Sequence, residues 1–431
     1  MSDIPDYLIV GAGCFGASTA FHLKQAYPNA DVVLVDRVPF PSPVAAAHDL
    51  NKIIRAEYAD PMYMRLALEA MNSWSSDPVF QPFFHQTGVI WCVAGNKGEQ
   101  FNEGYEKLLG RGKSPMALLS TEEARQRFPI LSHCDLTEVS HCVWNPSAGW
   151  GDAAAALRAF IQSAVDLGVR YEVATVSKVM FEDDATCTGV STADGRQLLA
   201  KKVILASGAY TPWLLAESAP DRPYIHADER MAAAGVLMCA FTLDSGEEAK
   251  FKGAPVIVYP YGDFPAECIP LGSSSGAHLV KCTHECPYTN KVYHEPSKQE
   301  ISVQPSNPTQ TTWSTDLPDA LKENSIKVKQ VLFKDYIKGM RPEKYRLCWD
   351  ASTPDEDWII SPHPSKNLYI AGGGSFHGWK FLPIIGKYVV QMLGDELSEE
   401  HASRWAWDRN FTPIVTTYTP RKELRDVPGF Y

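Results

Sequence analysis

No apolar run in the 431 residues approaches the ~20 needed to span a bilayer, so no membrane span is expected. Basic residues are also in deficit, with 40 Lys and Arg against 51 Asp and Glu and a formal net charge of −11. That balance argues against non-specific binding to nucleic acid or acidic membranes, though it permits a basic pocket inside an acidic protein. The ten cysteines include no Cys-x-x-Cys pair and read as mostly buried free thiols in a reducing compartment. Cys282, His284 and Cys286 lie close together, but three soft ligands at that spacing are not a zinc pattern, and no metal is expected. There is no internal repeat and no low-complexity tract. The first strand opens at Tyr7, which leaves no room for a secretory signal, and the end Pro428-Gly-Phe-Tyr is not a peroxisomal address. The expectation is a cytoplasmic monomer.

What is present begins at once. Tyr7 to Val10 is a short apolar run suited to a buried parallel strand. Gly11, Gly13 and Gly16 then fit a G-x-G-x-x-G turn. The first permits the tight turn, the second lets backbone approach a pyrophosphate, and the third lets the helix pack closely on the strand. A helix from about Ala17 to Ala26 aims its free N–H groups at that phosphate. A second strand, Val32 to Val35, ends at Asp36, placed to accept hydrogen bonds from an adenosine ribose. The pattern as a whole predicts dinucleotide binding, and the acid favours FAD or NAD over NADP.

Further along, Asp60 caps a predicted helix over Met62 to Trp74, and Val89 to Val93 reads as a strand before a helix at Glu99 to Leu109. A clear helix covers Ala153 to Leu167. Cys187 to Ser191 and Leu198 to Ala206 flank Ala193-Asp194-Gly195 as a hairpin, the second strand running into the small-residue turn at Gly208. From Met231 to Asn307, short strands (Val236 to Phe241, Val256 to Tyr261, His278 to Cys282) alternate with Pro- and Gly-rich turns, which predicts an antiparallel sheet with one substrate-facing side. A helix at Pro318 to Phe333 follows, then strands at Tyr345 to Trp349, Trp358 to Ser361 and Leu368 to Ala371, the last ending in Gly372-Gly373-Gly374 before a helix at Pro383 to Gly394.

Four stretches together carry a resemblance to the sarcosine oxidase and fructosyl amino acid oxidase (amadoriase) family of FAD-dependent amine oxidases. They are the opening glycine motif; Asp49-Leu-Asn-Lys-Ile; Arg346-Leu-Cys-Trp-Asp with Thr353-Pro-Asp-Glu; and the run from Gly374 through Gly-Trp-Lys-Phe-Leu-Pro to Lys387. The resemblance implies covalent FAD, bonded at its 8α carbon to the sulfur of Cys348, with Gly208, Gly373 and Gly374 near the cofactor. It implies that Lys281 activates O₂ and that Asn51 and Lys52 order water and tune oxygen access. Lys380 resembles the lysine that pairs with substrate carboxylate, and Arg55 the arginine that clamps carboxylate in sarcosine oxidases. Glu285 resembles the acid that holds the sugar or amine end in amadoriases, and Arg409 their carboxylate-binding arginine, both at spacings that depart from the family pattern.

The implied fold is α/β: a glutathione-reductase-type, Rossmann-like FAD-binding domain (residues 1–88, 146–225 and 334–431) with an antiparallel-sheet substrate domain (89–145 and 226–333). The implied reaction is oxidation of the C–N bond of a secondary amine on an amino acid. Hydride passes to flavin N5, the imine hydrolyses, and O₂ becomes hydrogen peroxide. Fructosyl amino acids are narrowly favoured as substrate, because Gly-Trp-Lys-Phe-Leu-Pro and Leu424-Arg-Asp-Val-Pro-Gly look like amadoriases. Ile54-Arg55-Ala-Glu-Tyr instead looks like sarcosine, pipecolate or saccharopine oxidases, which keeps those and N-methyl amines as the alternative.

Overall fold

The computed structural model describes residues 4–272, 279–416, 419 and 422–430. Two large sheets organise it. The first has six strands in the order Ile359–Pro362, Leu368–Gly372, Lys202–Leu205, Tyr7–Val10, Val32–Asp36, Arg170–Val173, all parallel except the pairing of the first with the second. Its inner strands are covered on both faces and so are apolar rather than alternating, unlike the exposed edge strand Arg170–Val173. Leu8, Ile9, Val32 and Leu34 are fully buried. The helix Cys14–Ala26 leaves the first strand and packs against Ile385–Leu393 and Ala153–Asp166. The contact with Ile385–Leu393 and the turn into the helix are both made through backbone. A Cβ on Gly386 would meet the carbonyl oxygen of Ser18 at 2.0 Å, and one on Gly16 would meet that of Gly11 at 1.8 Å. In Ala153–Asp166 the buried residues Ala153, Ala156, Leu157, Phe160, Ile161 and Ala164 follow the 3,4 spacing of one helical face.

The second sheet roofs the first. Its strand order is Arg341–Ser352, Ala232–Thr242, Leu279–Thr289, Ala266–Gly272, Val256–Tyr259, Val89–Val93, His141–Asn145, Ala117–Leu119. Side chains alternate across a strand, and here the alternation separates two chemistries. Trp91, Met238, Glu267, Lys281, Thr283 and Glu285 line a cavity on one face. The residues between them, Cys92, Cys239, Cys268 and Cys282, enter the apolar core on the other face with the helix Asp319–Phe333. Cys239, Cys282 and Cys268 are direct cross-strand partners, as are Cys92 and Cys142, so thiols form rows across the roof.

Two expectations are corrected. The run Leu198 to Ala206 is two strands, not one: Gln197–Leu199 closes the hairpin on Cys187–Thr192, and Lys202–Leu205 belongs to the parallel sheet. The chain changes sheets where Lys201 and Lys202 donate their N–H groups to the carbonyls of Pro5 and Asp6. The strand through Tyr345 to Trp349 is twelve residues long, Arg341–Ser352, and pairs along its length with Ala232–Thr242. It is thus a roof strand inside the segment assigned to the cofactor domain, with Leu347 and Trp349 buried in the roof core. Lys52–Ile54, Gly149–Gly151 and Phe84–His85 form a small sheet that local pattern does not show. His278, the expected start of a roof strand, lies outside the described residues; the strand is described from Leu279. Among the described residues no helix is long and apolar enough to cross a membrane.

Candidate active site

A cavity of about 460 Å³ runs between the sheets, within the ~300–1,000 Å³ typical of small-molecule sites. Its first end is the glycine turn. Gly11 has φ +101°, and a Cβ there would meet the Ala206 carbonyl oxygen at 2.5 Å. Gly13 and Gly208 line the cavity, and a Cβ on either would meet nothing within 4 Å. Gly13 precedes Cys14–Ala26 without a side-chain cap, so the helix presents uncapped N–H groups where phosphate would lie. Asp36 accepts the N–H of Ala12 at 2.8 Å and of Arg37 at 2.7 Å, which fixes its carboxylate at the strand end. Together these are the fittings of a dinucleotide cofactor, and the residues present suit FAD. Gly374 also lines the cavity. Gly373 does not: it has φ +77° and packs on Thr353, so its role is to turn the chain.

The middle of the cavity holds a buried charge cluster. Asp49 accepts from Lys281 at 2.8 Å and Lys52 at 3.1 Å. Lys281 also donates to the Asn51 carbonyl. Burial opposes the Asp49 charge, but Lys281, Lys52 and Arg346 outweigh it and hold the carboxyl well below its ordinary range. Burial pulls Lys281 below the usual lysine range against the attraction of Asp49, whereas for Lys52 the same attraction wins and the shift is upward. Arg346, fully buried, donates to the carbonyls of Ala45 (2.9 Å), His48 and Thr311 (3.0 Å), and so ties the loop before Asp49 to the roof. Two residues on, Cys348 lines the cavity beside Val236 and Met238. Asn51 itself is buried off the cavity with its Oδ1 unpartnered, so it meets the site through its backbone.

At the far end, Lys380 donates to the Tyr58 hydroxyl and to the His377 carbonyl, both at 2.7 Å. His377 Nε2 lies 2.9 Å from the Glu356 carbonyl, which can only accept, so Nε2 carries the proton and Nδ1 accepts from Tyr58 at 3.1 Å. Burial and the neighbouring Lys380 push His377 down to about 3. Burial, then Arg55, drive Lys380 well below the ordinary lysine range. The Arg55 guanidinium lies over the rings of Tyr58 (4.7 Å) and Trp91 (4.6 Å).

Of the expected site residues, Lys52, Arg55, Lys281, Glu285, Cys348 and Lys380 are brought to one cavity. Arg409 is not. Its guanidinium grips Asp355 through two nitrogens (2.8 and 2.9 Å) and caps the carbonyls of Trp358, Ala406 and Asp357, which makes it a clamp on the chain before Ile359. Among the cavity residues that escape sequence reasoning are Trp91, Lys97 and Glu267. Glu267 had a usable signal, because Glu267-x-Ile269 repeats the alternation of Lys281-x-Thr283-x-Glu285. Lys97 opens the helix Lys97–Leu109, where the helix dipole favours an acid, and that local conflict marks it.

A family model described as FAD dependent oxidoreductase matches residues 6–392. An L-saccharopine oxidase of Schizosaccharomyces pombe is 30% identical over 428 residues, covering 93% of this chain and 92% of that protein. Among solved structures, a modified fructosyl peptide oxidase from Aspergillus nidulans superposes with TM-score 0.83 at 29% identity, covering 99% of each chain. A fructosyl peptide oxidase from E. terrenum gives 0.82 at 28%, covering 99% of this chain and 98% of the other.

Proposed function

From the premise that the chain belongs to the FAD-dependent oxidoreductases, we propose that it oxidises an N-substituted α-amino acid whose carboxylate is held by Lys380 and Arg55. The protein is an oxidase acting on the C–N bond of an amino-acid-derived amine, with O₂ reduced to hydrogen peroxide. FAD, when bound, supplies the hydride acceptor and the route for electrons to O₂. The observation that carries the substrate reading is the pair of cations sharing the Tyr58 ring, Lys380 at 5.1 Å and Arg55 at 4.7 Å from its centroid. A carboxylate between them neutralises charge that burial otherwise penalises, and fixing it there orients the rest of the molecule. The same cations disfavour an ammonium nearby, so the amine is held neutral and needs no dedicated base. Lys281, fixed by Asp49 and the Asn51 carbonyl, is a preorganised cation for the negative charge that develops on O₂. Lys52 shares that carboxylate and keeps the cluster charged. Cys348 is the proposed covalent anchor for FAD; its sulfur lies 3.8 Å from the Ala46 carbonyl oxygen at the cavity wall.

Glu285 on the roof supports a fructosyl substituent, whose hydroxyls it would accept, as does the likeness to fructosyl peptide oxidases. Arg55 and the saccharopine oxidase relative favour a second reading, an alkyl or cyclic N-substituted amino acid. Peroxide formation by the yellow enzyme with fructosyl-valine, sarcosine, pipecolate and saccharopine separates the two; activity with none of them rejects both. For the anchor, Cys348→Ala is expected to release all flavin into the supernatant on acid precipitation, while the parent retains it in the pellet. Flavin that stays with the variant's pellet would move the attachment elsewhere.

A further inference from the structure

Beside the paired Lys52 and Lys281, the cavity wall carries three cations, faced by the roof carboxylates Glu267 and Glu285. Lys52 and Lys281 share the single Asp49 carboxylate. The three further cations are Lys380, Arg55 and Lys97. Among the described residues none of the three has a carboxylate oxygen within 4.0 Å. They are threaded by two aromatic rings. Lys380 and Arg55 lie over Tyr58, and Arg55 and Lys97 over Trp91, the latter at 4.6 and 5.5 Å from the indole centroid. The cations therefore form a line, with Arg55 in the middle and a lysine at either end. One carboxylate at Lys380 leaves Lys97 half-buried with no carboxylate in contact among the described residues, Glu285 acting on it only from beyond 4.0 Å.

Lys97 is not there for its helix. It is the first residue of Lys97–Leu109, where a cation opposes the dipole. It is also not simply solvated, since it leans over Trp91 and Phe101 beside the cavity. Burial, reinforced by Arg55 and resisted by Glu285, holds it below the ordinary lysine range. A group kept at such a place against helix dipole, burial and a like charge is explained by an anion that arrives with the substrate.

We propose that Lys97 is a specificity residue and that the substrate is an amine flanked by two carboxylates, one at Lys380 and Arg55 and the second, on the N-substituent, at Lys97. The substrate class is thus the N-(carboxyalkyl) amino acids. This rests on the amine-oxidase reading and narrows it. Glu267 and Glu285, on adjacent roof strands, face the span between the two ends, where an amino or hydroxyl group of the substituent would find an acceptor. A neutral sugar or methyl substituent offers nothing to Lys97.

The test compares holoenzyme with Lys97→Met and Lys97→Arg. Initial peroxide rates are measured with saccharopine and N-(1-carboxyethyl)alanine against sarcosine, pipecolate and fructosyl-valine, and glutarate, a dicarboxylate that cannot be oxidised, is titrated calorimetrically. In the parent, the dicarboxylates should have the higher kcat/KM. Lys97→Met should raise their KM by about 10–100-fold, the value of one hydrogen bond to a charged group, with kcat little changed and the monocarboxylates unaffected. Lys97→Arg should restore most of the loss, and glutarate affinity should follow the same order. A parent that prefers fructosyl-valine or sarcosine, or a Lys97→Met variant that weakens all substrates equally, overturns the proposal while leaving an amine oxidase. If no amine is oxidised the wider reading fails, and glutarate binding that is indifferent to Lys97 then removes the anion site as well.

Discussion

Replacing Lys281 with methionine is expected to slow reaction of the reduced enzyme with O₂ by about 10²–10³-fold, the usual cost of losing one preorganised stabiliser of developing negative charge. Reduction by substrate should change far less. The reason lies in how the lysine is held. Its ammonium is fixed by the Asp49 carboxylate at 2.8 Å and by the Asn51 carbonyl, so it cannot swing toward the carboxylate end where substrate is proposed to bind. Methionine keeps most of the length and apolar body of the side chain and removes the charge with its two hydrogen bonds. Asp49 retains Lys52 and Arg346, so it stays ionised and the loop stays in place. Stopped-flow mixing of reduced enzyme with O₂, set against anaerobic reduction by substrate, is the measurement. Equal slowing of both would remove the oxygen role.

Lys380→Met should give the opposite signature. Truncating one partner of a buried charge pair costs ~2–5 kcal/mol, so kcat/KM for reduction is expected to fall by about 10²–10³-fold while the O₂ step is preserved. Stability should not fall with it. In the free enzyme Lys380 is buried among Tyr58, His377 and the like-charged Arg55, which is why its pKa is driven down. Removing a buried cation that lacks a counter-ion relieves a desolvation cost, so the thermal midpoint should hold or rise. Activity lost together with stability would instead mark Lys380 as a packing residue. The pair of variants separates the two half-reactions along the length of one cavity.

The parts legible in the sequence were those whose signals are local. The strand, the glycine spacing and the acid at Asp36 fall within one βαβ unit; Gly11 and Gly16 have the steric reasons their positions imply, and Gly13 opens on the cavity. Lys380 and Cys348 were reached through flanking motifs, and Lys281 through the family resemblance alone. Arg409 misled because its meaning is distant: Asp355 lies fifty-four residues upstream, and nothing near Arg409 announces a partner. Trp91 sits in an apolar strand and reads as core, so only sheet pairing, through Val258 to Glu267, aligns it with the charged face. The Arg341–Ser352 strand was assigned to the wrong layer for the same reason, since sheet membership depends on which edge the chain finds and not on the strand's own residues.

The arrangement of sulfur in the roof bears on how long the enzyme lasts while making an oxidant. Peroxide released into the cavity meets little reactive thiol. Cys14 lines the wall, but burial first, and then Asp350, push its thiol far up and keep it from the reactive thiolate form. The rows formed by Cys239, Cys282 and Cys268 and by Cys92 and Cys142 lie behind the sheet, in apolar core. Met238 is different, because its thioether needs no ionisation and it lines the cavity. Met238 is therefore the residue expected to limit the enzyme's lifetime, counted in turnovers rather than hours: its sulfoxide should accumulate in digests of working enzyme before any roof cysteine is modified, and leucine at that position should lengthen the working life.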